Sequence, residues 1–145
     1  MNIINEFKLT VDSKSINEAF CRQVVGAFVT SLDPTIEEMT DIKTAVSEAV
    51  TNCIVHAYSD SCGKIYITGQ ILDDNMVKIT IKDKGIGIEN VSQAMTPLFT
   101  TGSSDRSGLG FTVMQSFCDR VNVSSSVGNG TTVTLTKHIC KREKW

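Results

Sequence analysis

The residue types best suited to chemistry lie in three short segments that are far apart in the chain. The first is Glu48-Ala-Val-Thr-Asn52, an acid and an amide one helical turn apart. Val46, Ala49, Val50 and Cys53 around the pair are apolar, so the pair borders a predicted buried face, where a carboxylate is costly unless it has a partner or a use. Glu48 could accept or orient a proton, and Asn52 could give an oxygen to Mg²⁺, which takes few protein ligands. Taken alone, the pair is more simply interpreted as a solvated helix edge.

The second segment is Asp83-Lys-Gly85-Ile-Gly87. Its aspartate ends a strand that is predicted to be buried, and the two glycines come after that strand. The Asp83 carboxylate could accept a hydrogen bond from an adenine amino group, and Gly85 and Gly87 would let the backbone pass close to the base. Aspartate beside glycine is also ordinary turn chemistry. This segment alone therefore favours a surface turn.

The third segment, Ser107-Gly108-Leu109-Gly110-Phe111, opens a predicted helix. Backbone N–H groups and the helix dipole at such an end favour phosphate, and the neighbouring Arg106 could pair with phosphate or with an acidic group of a protein. A loop that leads into a helix is the simpler interpretation of this segment alone. The chain has neither a P-loop nor a dinucleotide-binding glycine pattern, so any phosphate would be held in a different way.

The composition is that of an ordinary globular chain and argues against several classes of function. The chain has 145 residues, 41% hydrophobic and 21% charged, which predicts a single domain over residues 1–145. The net charge of −2 gives no broad basic field, so we expect no direct binding of nucleic acid. We also expect no membrane anchor, because no apolar run approaches the roughly 20 residues that span a bilayer and the first residues do not form a signal peptide.

The cysteines and histidines predict neither a disulfide framework nor a metal cluster. The five cysteines include no CxxC pair, which favours reduced thiols in a cytoplasmic protein. The two histidines, His56 and His138, are too few and too far apart to predict a zinc site.

Hydrophobic periodicity predicts the element order β-α-α-β-β-lid-α-β-β. A strand over residues 4–11 precedes a helix opened by a capping box at Ser15 and Glu18, and a second capping box at Thr35 and Glu38 opens a helix that extends to Ala57. The strands that follow form two hairpins, one turning at residues 73–75 and one at residues 128–130. A helix over residues 110–118 separates the hairpins. Residues 84–107 have little periodicity and predict a lid.

Together, the three segments resemble the N-, G1- and G2-type boxes of the GHKL ATPase/kinase superfamily. Within it, the chain is similar to the small anti-sigma kinases of endospore-forming bacteria. The motifs that carry this second resemblance are Leu32-Asp-Pro-Thr35, Ser47-Glu-Ala-Val-Thr-Asn52, Pro97-Leu-Phe-Thr-Thr101, Arg106-Ser-Gly108 and Gly130-Thr-Thr-Val133. The resemblance implies an α+β fold of the Bergerat type, a two-layer sandwich with a mostly antiparallel sheet, helices on one face and an ATP lid.

The resemblance also implies ATP and Mg²⁺ as cofactors and gives roles to individual residues. Glu48 becomes the catalytic base, Asn52 the Mg²⁺ ligand and Asp83 the reader of adenine, supported by Thr131 or Thr132. The implied nucleotide-binding residues are Asn52, Asp83, Gly85, Gly87, Thr101, Arg106, Ser107, Gly108, Leu109, Gly110 and Thr131. Arg22 and Arg106 match positions that bind protein partners.

The function implied in this way is that of an anti-sigma factor and protein-serine kinase. Such a protein binds and inhibits a sporulation sigma factor of the sigma-F type, uses Mg-ATP to phosphorylate a serine of an anti-anti-sigma protein, and forms a homodimer. Two alternatives stay open: the related anti-sigma kinase of the general stress response, and an ATP-dependent sigma-binding module without phosphate transfer. Glu48 argues against the binding module, because binding alone does not require an acid there.

Two positions depart from the pattern of the superfamily. Ala57 stands where a glycine usually follows the first box, and because alanine suits a helix we expect little effect. Lys84 stands where an acidic or amide residue often follows the aspartate. We expect Lys84 to alter lid contacts or nucleotide affinity without changing the role of Asp83.

Overall fold

The protein is described by a computed structural model that covers residues 2–58, 61–95 and 110–140. The elements are β1 (Ile3–Asp12), α1 (Ile16–Val29), α2 (Ile36–Asn52), β2 (Lys64–Leu72), β3 (Met76–Asp83), α3 (Val91–Ala94), α4 (Gly110–Phe117), β4 (Arg120–Ser126) and β5 (Gly130–His138). Within the described ranges, no helix combines the length and the apolar character needed to cross a membrane.

All five strands form one antiparallel sheet in the order β1-β2-β3-β5-β4. This confirms the predicted hairpins and the predicted α+β class. In both hairpins the turn residues have left-handed backbone angles, at Asp74 and Asn75 in the first and at Gly128 and Gly130 in the second. Asparagine, aspartate and glycine tolerate this conformation best, which explains why these turns were visible in the sequence.

The core lies between one face of the sheet and the helices α1, α2 and α4. Alternate residues of β3 are buried, so that Val77, Ile79 and Ile81 point toward the helices. Asp83 continues this alternation and is only 4% exposed. The two-residue period of the strand thus places a carboxylate at the edge of an apolar core. Burying a carboxylate there costs free energy, but it allows the group to bind a ligand away from water.

The start of α2 was predicted correctly and its end was not. The Thr35 hydroxyl accepts a hydrogen bond from Glu38 N–H at 3.0 Å, and the Glu38 carboxylate accepts one from Thr35 N–H at 2.8 Å, which is a complete capping box. The α-helix stops at Asn52, and residues Cys53–Ala57 form one turn of π-helix instead. Turns of this kind are rare and widen the helix locally, often at functional sites.

The capping box predicted at Ser15 is wrong. Ser15 has helical backbone angles and its side chain caps nothing, whereas an N-cap residue is normally extended. Glu18 instead accepts a hydrogen bond from the Ser47 hydroxyl and forms an ion pair with Arg22. The Glu18 side chain, which the local sequence assigned to the cap, is therefore used in contacts with Arg22 on α1 and with Ser47 on α2.

The predicted lid includes more regular structure than its sequence suggested. Residues 91–94 form the short helix α3, and Asn90 caps it by accepting a hydrogen bond from Gln93 N–H at 2.9 Å. The Asn90 cap is ordinary helix-start chemistry, but a single helical turn is too short to give a periodic hydrophobic pattern. The rest of the predicted lid, from residue 96 to 109, lies outside the described residues.

Candidate nucleotide-binding site

A cavity of about 680 Å³ opens where the end of β3 meets α2 and the hairpin of β4 and β5. Its volume is in the range of small-molecule sites. The wall contributed by α2 and its π turn consists of Ala49, Asn52, Cys53, His56 and Ala57. The other described residues of the lining are Asp83, Ile86, Gly87, Ile88, Glu89, Asn90, Gln93, Ala94, Gly110, Phe111, Val127, Thr131 and Val133. A mostly apolar wall with a few polar groups suits a flat heteroaromatic ring.

Asp83 is the polar centre of this cavity. Its Oδ1 accepts hydrogen bonds from Gly85 N–H at 3.0 Å and from Thr131 N–H at 3.2 Å. Its Oδ2 lies 3.5 Å from Sγ of Cys53, whose thiol donates to it. The carboxylate is therefore held by three donors from three different parts of the chain and presents its remaining acceptor capacity to the cavity that it lines.

The Cys53 thiol is protonated at neutral pH. Burial raises the pKa of this thiol well above its usual range, and the negative charge of Asp83 raises the pKa further. A neutral thiol is a weak hydrogen-bond donor. Cys53 can therefore donate its S–H to Asp83 and does not bring a second negative charge next to the carboxylate.

Gly85 and Gly87 allow a close backbone approach at one end of the cavity. A Cβ at Gly85 would lie 2.6 Å from the Cβ of Ala57, and a Cβ at Gly87 would overlap the backbone of Ser126. Gly87 also has a φ of 79°, which other residues rarely adopt. Gly87 lines the cavity, whereas Gly85 acts from behind it through its N–H bond to Asp83.

Thr131, one of the two predicted supports of Asp83, makes its bond through the backbone. Its hydroxyl lies 2.7 Å from the Ser125 hydroxyl, which donates to the Gly130 carbonyl at 2.9 Å and accepts from Ile88 N–H at 2.8 Å. Because Ser125 has one proton and gives it to Gly130, Thr131 is the donor in the contact between the two hydroxyls. This network fixes the segment that follows β3 onto the second hairpin.

Glu48 and Asn52 lie one turn apart on α2, as their spacing predicted. Asn52 is part of the described lining and Glu48, half-buried, is not. Ala49, Asn52, Cys53 and His56 share the face that lines the cavity, and Glu48 flanks that face. The structure therefore places Asn52 and Asp83 in the lining of the same cavity and Glu48 beside it.

An amide oxygen on a cavity wall fits a Mg²⁺ ion that arrives with a nucleotide. In the part of the chain that the structure describes, no group of three or more His, Cys, Asp or Glu side chains could hold a metal ion by itself. Mg²⁺ typically keeps several waters and phosphate oxygens and takes one or two ligands from the protein. Asn52 matches that use better than it matches a preformed metal cage.

The predicted phosphate end of the site is described only at Gly110, the first residue of α4, which lines the cavity. Thr101, Arg106, Ser107, Gly108 and Leu109 lie outside the described residues. Arg22, predicted to contact a protein partner, lies on α1 and is not among the described lining residues. Its Nε is 3.3 Å from Glu18 Oε1, and its side chain is partly exposed.

The two departures from the superfamily pattern lie near one another. Ala57 ends the π turn, and its carbonyl accepts a hydrogen bond from Ile86 N–H at 3.2 Å. Lys84 places its Nζ 5.1 Å from the ring centre of Tyr66, a cation–π contact. Tyr58 joins this region together, because its hydroxyl accepts from Lys84 N–H at 2.6 Å and donates to the Lys64 carbonyl at 2.9 Å.

Sequence reasoning missed Cys53, Tyr58 and Ser125 as parts of this site. Cys53 follows Asn52 directly, and its sequence indicated only one of five reduced thiols. Ser125 lies in a run of serines on a strand, and no local signal separates it from its neighbours. Contacts with distant segments give all three residues their roles, so spacing within one segment does not reveal them.

Comparison with known protein families matches residues 13–137 to the histidine kinase-like ATPase domain. The anti-sigma F factor of Caldanaerobacter subterraneus subsp. tengcongensis is 56% identical over 140 residues, covering 96% of this chain and 97% of that protein. The anti-sigma F factor of Bacillus subtilis is 50% identical over 139 residues, covering 94% of each chain.

Solved structures share the fold at low sequence identity. The RsbU and RsbW domains of Rv1364c from Mycobacterium tuberculosis match with a TM-score of 0.69 at 18% identity. The match covers 97% of this chain and 34% of that one, so this chain spans about a third of its length. Full-length ShkA in complex with AMPPNP matches with a TM-score of 0.59 at 15% identity, covering 88% of this chain and 31% of that chain.

Proposed function

We propose that this chain, which belongs to the anti-sigma F factors within the histidine kinase-like ATPase family, inhibits a sporulation sigma factor and phosphorylates a protein serine with Mg-ATP. The observation that carries the nucleotide part is Asp83, a nearly buried carboxylate that is held by three donors and lines the cavity. In this proposal residues 1–145 act as one ATP-binding domain in the cytoplasm, where ATP and sigma factors are found.

Asp83 suits adenine better than guanine. A fixed, charged acceptor in an apolar cavity favours a ligand that donates a hydrogen bond, as the 6-amino group of adenine does, and disfavours the carbonyl oxygen that guanine has at the same position. The apolar residues around it, including Ile86, Ile88 and Val133, supply surface for the ring. The site therefore combines one specific polar contact with non-specific burial.

The transfer step requires positioning and charge neutralisation more than covalent chemistry from the protein. Asn52 would hold a Mg²⁺ ion that neutralises charge on the phosphates when it is bound. Glu48, beside the cavity-lining face of α2, would orient the hydroxyl of the substrate serine. The serine oxygen bonds to the γ-phosphorus, the bond to the β–γ bridging oxygen breaks with ADP taking the electron pair, and the hydroxyl proton passes to Glu48.

The proposed protein partners are a sigma factor of the sigma-F type, an anti-anti-sigma protein as the phosphate acceptor, and a second copy of this chain. The names of the relatives support the sigma factor. Arg22 on α1 is partly exposed beside Glu18 and offers a charged contact for a partner. The homodimer is supported by β1, whose outer edge has no partner strand among the described residues and which exposes Ile3 and Ile4.

The decisive experiment mixes the purified protein with Mg-ATP and an anti-anti-sigma protein from the same genome, and measures added phosphate by intact mass. We expect one phosphate on a serine of the acceptor. Glu48→Gln keeps the size of the side chain but cannot take the proton, so we expect transfer to fall by at least about 100-fold while ATP affinity changes less than about threefold. Glu37→Gln, an exposed acid in the first turn of α2, is the matched control and should transfer at the normal rate.

Three results would contradict parts of the proposal. Loss of ATP binding together with transfer in Glu48→Gln would remove the division of roles between Glu48 and Asp83. Tight ATP binding by the unmodified protein without any transfer would favour a binding module in which ATP only shapes the sigma-binding surface. Co-purification with a general-stress sigma factor in place of a sporulation one would favour the related anti-sigma kinase.

A further inference from the structure

We propose that Cys53 is a positioning residue for recognition of the base, because its S–H donates to Oδ2 of Asp83 and holds the carboxylate in the orientation that accepts the adenine amino group. This inference rests on the proposed binding of ATP and deepens it. It gives a role in nucleotide selectivity to a side chain whose residue type alone indicates only packing.

The hydrogen bonds of Asp83 leave a defined task for Cys53. Oδ1 is occupied by two backbone donors, Gly85 N–H at 3.0 Å and Thr131 N–H at 3.2 Å. Both bonds meet the same oxygen, so Oδ2 has only the Cys53 thiol, at 3.5 Å, as its donor among the contacts within the described protein. Without that thiol, Oδ2 would depend on water or ligand alone for its hydrogen bonds.

The position of Cys53 makes the contact specific rather than incidental. Cys53 is 4% exposed, begins the π turn and lines the same cavity as Asp83. Burial raises the pKa of its thiol, so the proton needed for donation stays in place across the physiological range. The thiol therefore meets Asp83 from α2, while the two backbone donors come from the end of β3 and the start of β5.

A packing role and a positioning role predict different results with two ligands. If Cys53 only fills space, its truncation weakens the binding of every nucleotide by the same factor. If Cys53 orients Asp83, its truncation weakens only ligands that donate to Oδ2. Purine riboside 5′-triphosphate has hydrogen in place of the 6-amino group of ATP and is otherwise the same, so it separates the two roles.

The test measures the dissociation constants of ATP and of purine riboside triphosphate by calorimetry under reducing conditions. For Cys53→Ala we expect ATP affinity to fall about fivefold and the affinity of the analogue to change less than about twofold, since one hydrogen bond to a ligand-reading group is lost. Cys53→Ser restores a donor and should recover most of the preference for ATP. Cys118→Ala removes a partly buried thiol that is not among the described lining residues, and should leave both constants unchanged.

The outcomes separate this inference from the proposed function. Equal losses for both ligands in Cys53→Ala, or no loss for either, would overturn the role of Cys53 while ATP binding stands. If the unmodified protein binds neither ligand, the proposed nucleotide site itself is wrong. If Cys53→Ala does not fold, the S–H stretching band of Cys53 in the infrared spectrum of the unmodified protein replaces it, and the band is assigned by its loss in Cys53→Ser. ATP should shift this band and the analogue should not. Equal shifts with both ligands would overturn the inference.

Discussion

Asp83 connects three separate segments of the chain, because each of them donates a hydrogen bond to its carboxylate. The two backbone N–H groups and the Cys53 thiol approach the carboxylate from separate segments, so Asp83 joins β3, β5 and α2 at the cavity. Removing one acceptor from such a site leaves a buried donor without a partner, which costs more than the bond was worth. Asp83 therefore matters to both the ligand and the local structure.

Asp83→Asn tests this arrangement because the amide replaces one acceptor by a donor of equal size. Whichever way the amide turns, its NH₂ group meets either the Cys53 thiol or the backbone N–H groups of Gly85 and Thr131. We expect ATP affinity, measured by calorimetry, to fall by about 30-fold or more. Asp74→Asn, in the exposed turn between β2 and β3, is the control, and comparable weakening by both variants would contradict the role of Asp83.

The sequence predicted the position of Asp83, and the family resemblance named Thr131 as a possible support, but neither predicted the donors Gly85 and Cys53. Alternation along β3 was visible in Val77, Ile79 and Ile81, and it extends to Asp83 at the buried end of the strand. The bond to Cys53 depends instead on how closely the π turn packs against the end of β3, and Cys53 and Asp83 are 30 residues apart in the sequence. A pattern within one segment carries no information about that distance.

At the scale of elements, the start of α2 offers a direct measurement. Thr35→Ala removes the hydroxyl that accepts Glu38 N–H, and we expect the free energy of unfolding to fall by about 1 kcal/mol in urea denaturation. Thr44→Ala is the matched control, because among the described residues the Thr44 hydroxyl bonds to the Thr40 carbonyl of its own helix and caps nothing, and alanine is a better helix former. A loss in Thr44→Ala equal to that in Thr35→Ala would show that the cap makes no special contribution.

The elements that sequence predicted well are those whose signals are local. Both hairpins have turn residues that favour left-handed angles, and the capping box at Thr35 satisfies itself within four residues. The box at Ser15 has the same type of pattern and fails, because Glu18 contacts Arg22 on the next turn of α1 and Ser47 on α2 instead. The π turn was not predictable for a related reason: it ends where Ala57 packs against Gly85, a contact between distant segments.

At the scale of the whole molecule, the sheet has two unlike edges. β4 lies at one edge, and its hairpin with β5 borders the cavity, while β1 lies at the other with ten residues, Ile3–Asp12. The Phe7 ring meets Phe28 of α1 edge-on, with ring centres 4.7 Å apart, so one face of β1 is packed. Its outer backbone edge remains unpaired among the described residues, and Ile4 is 67% exposed.

An edge strand of this length with exposed isoleucines is a surface that proteins usually cover or protect with charge. A second copy of the chain would cover the β1 edges of both copies at once, since a two-fold axis lets the same strand pair with itself in the antiparallel sense. Such a dimer would leave the cavity free, because none of the described lining residues lies on β1: they come from α2 and its π turn, the end of β3 with the segment and α3 that follow it, α4 and the second hairpin. We therefore expect dimerisation and nucleotide binding to be separable by mutation.

Ile4→Glu tests this separation. Two symmetry-related carboxylates brought to one edge repel each other and must lose water, so we expect sedimentation velocity to show a shift from dimer to monomer, with ATP affinity within about twofold of normal. Ile36→Glu is the control, because Ile36 is 88% exposed at the first turn of α2, where a carboxylate is favourable, and it should leave the dimer intact. A dimer that persists in Ile4→Glu would place the interface away from β1, and loss of ATP binding along with the dimer would mean that the cavity depends on the second copy.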